Sequence, residues 1–66
     1  DQAIAPLQRA LTLDPDLHQA RFALALAFAR TQRPAEALEQ ARELSRRLPA
    51  DAPQRPEVER LINALK

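Results

Sequence analysis

No glycine occurs anywhere in this chain, while proline occurs six times. Tight hairpin turns need residues that adopt positive φ at little cost, glycine above all, so such a chain has little material for them. Alanine, leucine, glutamate, arginine and glutamine dominate instead, and these are strong helix formers. The prediction is an all-α fold in which the prolines punctuate the helices.

Four helices can be read from the spacing of apolar residues. The first covers roughly 2–13, with Ile4, Leu7 and Leu11 at helical intervals beside the small Ala3 and Ala10. Pro6 lies inside it. An interior proline loses a hydrogen bond and strikes the carbonyl four residues back, so regular helix is expected from about Ala5, after a frayed turn. The second helix starts in "DPDL": Asp14 is a candidate cap, Pro15 suits the first helical position, and Asp16 suits the positive end of the helix dipole. It should end near Arg30, before "TQRP". Pro34 then opens a third helix whose inward stripe is Ala37, Ala41, Leu44 and Leu48, with Glu39, Arg42, Glu43, Arg46 and Arg47 on a solvated face. "PADAPQRP" connects it to a fourth, in which Val58, Leu61, Ile62 and Leu65 form one apolar face and Glu59, Arg60, Asn63 and Lys66 the other.

The second helix differs from its neighbours. From Ala20 to Ala29 it carries only alanine, leucine and phenylalanine apart from Arg21, and a helix apolar all round must be covered on every side. Two adjacent helices cannot do this alone. Phe22 and Leu26 are expected to point together at whatever occupies the remaining side.

Several function classes lose support on composition. Ten basic and nine acidic residues leave a net charge of +1, too small a field to steer the chain onto nucleic acid or anionic lipid. The arginines at 42, 46 and 47 alternate with glutamates and have no aromatic residues among them to stack on bases. The absence of cysteine rules out both a disulfide framework and a thiolate metal site, and a single histidine gives no metal cluster. His18 has no catalytic companions, Ser45 has no base in reach, and a glycine-free chain cannot build a phosphate-binding loop. No enzyme, cofactor or metal is therefore expected. "FALALAFA" is far short of the ~20 residues that span a bilayer, so a soluble segment is expected.

At this length a domain buries only about 60% of the surface its unfolded chain exposes, and its core is marginal. Help from neighbouring structure is expected. The chain opens at Asp1 with neither methionine nor a signal-like stretch, which suggests a piece of a longer protein. Nine arginines against one lysine, with abundant alanine and leucine, suit a GC-rich bacterial genome. Nothing here separates bacterial cytoplasm from periplasm.

A thirty-four-residue interval organises the chain. Ala3 recurs as Ala37 and Pro15 as Pro49. Two helices at that period resemble the tetratricopeptide repeat, whose pattern is W-x-x-L-G-x-x-Y, then A-x-x-x-F, then P. The matching positions are Arg21, Leu24, Ala25 and Phe28, then Ala37 and Ala41, then Pro49; Ala3, Leu7, Ala10 and Pro15 resemble the end of a preceding unit. On this resemblance, 1–15 holds the second helix of a truncated repeat, 16–49 a complete repeat, and 52–66 a capping helix, all within one domain. Three positions depart from the pattern. Arg21 replaces tryptophan, and its stem is expected to cover apolar surface while its guanidinium reaches water. Gln32 replaces the glycine of the turn, so either it takes a left-handed conformation at roughly 1 kcal/mol or the turn is built differently. Ala41 replaces a large ring, leaving space for a residue such as Phe28.

The resemblance implies a non-catalytic interaction module whose first helix lines a concave groove, here Gln19, Phe22, Ala23, Leu26, Ala29 and Arg30, with Arg33 at one end. Members that clamp acidic tails carry asparagine where this chain has Ala23, so an amphipathic helix or apolar peptide bearing an acidic residue is the better implied partner. "LPADAPQRPEVERLINAL" is similar to the ends of bacterial assembly factors, such as those of cytochrome c maturation, in which a tetratricopeptide domain holds a client. A second expectation is self-association. Ile4, Leu7 and Leu11 would lack the helix that precedes them in a longer array, and exposed they would pair with a second copy.

Overall fold

The computed structural model describes residues 3–66, and these form four α-helices with no strand: α1 (Ile4–Leu13), α2 (His18–Arg30), α3 (Pro34–Arg47) and α4 (Arg55–Leu65). The all-α class and helix number are as the sequence indicates. Each helix packs on the one before it. The pairs run antiparallel: Phe28 near the end of α2 shares a cluster with Ala37 near the start of α3, whereas Phe22, early in α2, meets Leu44 near the end of α3. The Cα envelope measures 32 × 27 × 14 Å. One flat row of helices would be about 5 Å thick at Cα, so the four are staggered.

The starts of α2 and α4 differ from the reading above, α4 opening at Arg55 and not at 52. Helix α1 begins at Ile4, one residue from the expected Ala5, with Pro6 in the first turn, where a missing N–H removes no intrahelical bond. Gln2 lies outside the described residues. Helix α2 begins at His18, three residues after the expected Pro15. Asp14 does not cap it: its side-chain Oδ1 accepts from the Asp16 N–H at 3.2 Å, and its carbonyl accepts from the Leu17 N–H at 3.2 Å. The aspartate is spent on the α1–α2 turn, and Leu17, which has no capping side chain, occupies the N-cap.

The end of α2 resolves the choice left open at Gln32. Its φ is +61°, and the Arg33 N–H reaches Phe28 O at 2.9 Å while the Gln32 N–H reaches Ala29 O at 3.4 Å. These are the two bonds of a Schellman cap with a non-glycine residue in its left-handed position. Thr31 Oγ1 adds bonds to Ala27 O at 3.0 Å and Phe28 O at 3.2 Å, closing the last carbonyls. Arg33 then folds back with its guanidinium 5.5 Å from the Phe28 ring centroid and its Nε 3.2 Å from Glu36 Oε1.

Two contiguous clusters make the core. Ile4, Leu11, Leu24, Ala27, Phe28 and Ala37 join α1, α2 and the start of α3. Leu44, Leu48 and Val58 join the end of α3 to α4. Every residue of the α3 stripe, Ala37, Ala41, Leu44 and Leu48, is buried. In α4 Val58 is fully buried, and Leu61, Ile62 and Leu65 are half-buried.

One side chain ties α4 to the end of α3. Arg55 Nη1 donates to Ser45 O at 2.9 Å and Leu48 O at 3.0 Å, and its Nη2 to Ser45 Oγ at 3.3 Å. A cation thus caps the carbonyl end of α3, where the helix dipole favours it. Ser45 is engaged in this structural role.

Candidate functional site

Helix α2 carries the candidate surface. Its buried side consists of Arg21, Leu24, Ala25, Ala27 and Phe28. At intervals of three and four residues on the other side lie Gln19, Phe22, Ala23, Leu26, Ala29 and Arg30, which helical geometry places on one face. Phe22, Ala23, Leu26 and Ala29 are half-buried; Gln19 and Arg30 are exposed. The helix apolar all round is therefore covered on one side only partly.

Helix α4 provides part of that cover. Phe22 packs against the Leu44, Leu48 and Val58 cluster together with Ile62, and Ala29 and Leu65 pack against the other cluster. Ala23 and Leu26 belong to neither cluster. Between the start of α2, the end of α3 and the start of α4 lies a cleft of about 260 Å³, lined by His18, Gln19, Phe22, Leu44, Gln54 and Glu57. Phe22 and Leu44 supply its apolar floor. His18 is half-buried here, and its Nδ1 is buried without a hydrogen-bond partner.

Arg33, the other basic residue assigned to the groove, is exposed but turned onto Phe28 and paired with Glu36. Arg30 makes no ion pair among the described residues. The groove cations thus reduce to one free charge at the end of the α2 face.

The residues assigned to self-association lie elsewhere. Ile4 is 8% exposed and Leu11 9%, both inside the core, and Leu7 is half-buried against the same cluster. Helix α1 satisfies its apolar stripe on α2, the helix that follows it, so these three side chains form no open end. The large apolar residues left in water are Leu13 at 81% exposure and Leu17 at 42%, on either side of the α1–α2 turn.

Arg21 is the main departure from the sequence reading. Its guanidinium is largely withdrawn from water: the residue is 8% exposed, with Nη1 donating to Gln40 Oε1 at 3.0 Å and Nη2 to Pro15 O at 3.1 Å. Burial, and then the nearby charge of Arg47, push its pKa below the usual arginine value. Arg47 itself bridges elements, with Nη1 3.1 Å from Asp16 Oδ1 in the α1–α2 turn and Nε 2.7 Å from Glu43 Oε2 one turn back. Glu43 also pairs with Arg46, and these two hydrogen bonds hold its carboxyl down at about 2.

Among the described residues no three histidine, cysteine, aspartate or glutamate side chains come together as a metal site, and no helix is long and apolar enough to cross a membrane. No family model, curated protein or solved structure matches the chain.

Proposed function

We propose that the chain is a tetratricopeptide-like interaction module, non-catalytic, that holds an amphipathic helix or apolar peptide of a partner protein against the exposed side of α2. The observation that carries this reading is the half-exposed strip of Phe22, Ala23, Leu26 and Ala29 running beside the cleft. Two alanines in the strip let a partner backbone approach closely, while Phe22 and Leu26 offer the large apolar contacts that anchor such an interface. Arg30 gives the strip a charged end suited to an acidic residue of the guest. The thirty-four-residue interval supports placement in a longer helical array, within a larger bacterial scaffold or assembly protein. Terminal elements of such arrays carry a polar outer face, as α4 does with Glu59, Arg60, Asn63 and Lys66.

The test uses a short, fluorescently labelled amphipathic peptide of leucine, alanine and glutamate. It should bind saturably, and Leu26→Glu should weaken binding at least tenfold while leaving the helical circular dichroism largely intact. Equal binding by the variant would remove α2 as the docking face.

Self-association is a second reading, favoured by the exposure of Leu13 and Leu17. Pairing would run through the α1–α2 turn, and Leu13→Glu would abolish it.

A further inference from the structure

Arg21 carries a buried charge whose partners are neutral. Both of its hydrogen-bond acceptors, Gln40 Oε1 and Pro15 O, are uncharged, and its buried Nε has no partner. None of the ion pairs among the described residues includes it. Asp16 and Glu43 are the acids whose charges reach it, and Arg47 engages both. A guanidinium stays ionised, so taking it from water toward neutral acceptors alone leaves desolvation largely uncompensated. The structural alternative is that Arg21 fills the place of a large core side chain with its stem. That accounts for the packing of its methylenes and not for a head group without a counterion.

The same side chain lines a cleft. About 290 Å³ of space opens between α1, α2 and α3, bounded by Gln8, Leu11, Thr12, Arg21, Leu24 and Gln40. It shares no lining residue with the cleft beside α4. Its walls combine two leucines with two amides, a hydroxyl and the guanidinium, and its volume is several times the ~30 Å³ that a water molecule occupies in the liquid. Gln40 both lines this space and holds Arg21 Nη1. An anionic acceptor is stronger than an amide oxygen, and a planar carboxylate matches the arginine fork.

We propose that this cleft binds a carboxylate, which pairs with Arg21 as the Gln40 amide yields its place, with Leu11 and Leu24 covering the short apolar group that bears it. The carboxylate can be that of a small organic acid or of a peptide chain end.

The experiment titrates the full 66-residue chain with acetate, butyrate and N-acetylglycine against chloride at equal ionic strength. Thermal unfolding and the Arg21 Nε–H resonance are the readouts. Each carboxylate should raise the melting temperature saturably and move that resonance, and chloride should do neither. N-acetylglycine binding more tightly than butyrate would mark a chain end as the source, and the reverse order a free acid. The decisive variant is Gln40→Glu, nearly isosteric, which places a carboxylate on Arg21 from within. It should melt higher than the wild type without ligand and bind added carboxylate at least tenfold more weakly. Chloride matching acetate, an unmoved Arg21 resonance, or wild-type affinity in Gln40→Glu would overturn the proposal.

Discussion

Arg21 and Arg55 stand thirty-four residues apart, and each reaches back to the carbonyls that precede its own helix: Arg21 to Pro15 O at 3.1 Å, Arg55 to Ser45 O at 2.9 Å and Leu48 O at 3.0 Å. The interval equals that between Pro15 and Pro49. Leu24 and Val58, both buried, lie at the same spacing. Helix α4 thus carries side chains in the register of α2, and an arginine adds a tie across the corner before each of these two helices.

Removing the second of these ties should loosen one corner selectively. Arg55→Ala deletes charge-assisted bonds to the end of α3, each typically worth about 1.5–3 kcal/mol when buried. With a quarter of the side chain exposed, the expected net loss is about 1–2 kcal/mol. Amide exchange should quicken across 55–65 before 18–30. Arg55→Lys should recover only part of the loss, since a single ammonium nitrogen cannot hold both carbonyls and also replace the second guanidinium nitrogen that donates to Ser45 Oγ.

Gln32 offers the opposite change. At φ +61° it pays for a left-handed conformation that glycine adopts freely. After the greater unfolded-state freedom of glycine is subtracted, Gln32→Gly should stabilise by up to roughly 0.5 kcal/mol. That corresponds to a rise in melting temperature of up to about 4 °C at this chain length. Gln32→Val should lower it.

The ion pairs at the end of α3 give the chain an acid limb. Hydrogen bonds from Arg46 and Arg47 hold the Glu43 carboxyl down at about 2 in the folded chain, well below the usual carboxylate range. A depressed carboxylate contributes stability above its unfolded pKa and loses it as pH falls toward the folded one. Chemical denaturation should therefore show a decline between about pH 4.5 and pH 2. Glu43→Gln should flatten that part of the profile and lower stability at neutral pH. Added salt should weaken the contrast, because the pairs with Arg46 and Arg47 lie near the surface.

Phe28 is the largest fully buried side chain among the described residues, at 2% exposure. Truncation to alanine typically costs about 3–5 kcal/mol. A core of this size rarely supplies more than about that amount. Phe28→Ala should consequently lose its helical signal at room temperature, whereas Ala23→Ser on the half-exposed side of α2 should leave it unchanged.

The legible parts were those governed by periodicity. The α3 stripe of Ala37, Ala41, Leu44 and Leu48 is buried throughout, and Val58 anchors α4 as its apolar spacing implies. Boundaries were less legible where one residue suits two roles. Asp14 and Pro15 fit a helix start as well as a turn, and the choice was made by the Asp14 side chain bonding Asp16 instead of α2. The end at Ile4, Leu7 and Leu11 looked open because a sequence shows which residues are apolar, not which neighbour will cover them; α2 does so here. Within the candidate site, spacing grouped Phe22, Ala23, Leu26 and Ala29. The contributions of His18, Leu44, Gln54 and Glu57 depend on how α4 docks. For Arg21 the sequence indicated a stem lying on apolar surface, but not the burial of the head group, since burial of a charge carries no local signature.

The central claim is that the exposed side of α2 is the binding surface, and amide chemical-shift mapping with the amphipathic leucine, alanine and glutamate peptide tests it most directly. The account predicts shifts concentrated at Gln19, Phe22, Ala23, Leu26 and Arg30, with smaller ones at Gln54 and Glu57 across the cleft. Shifts confined to Leu13 and Leu17, or none at saturating peptide, would contradict it.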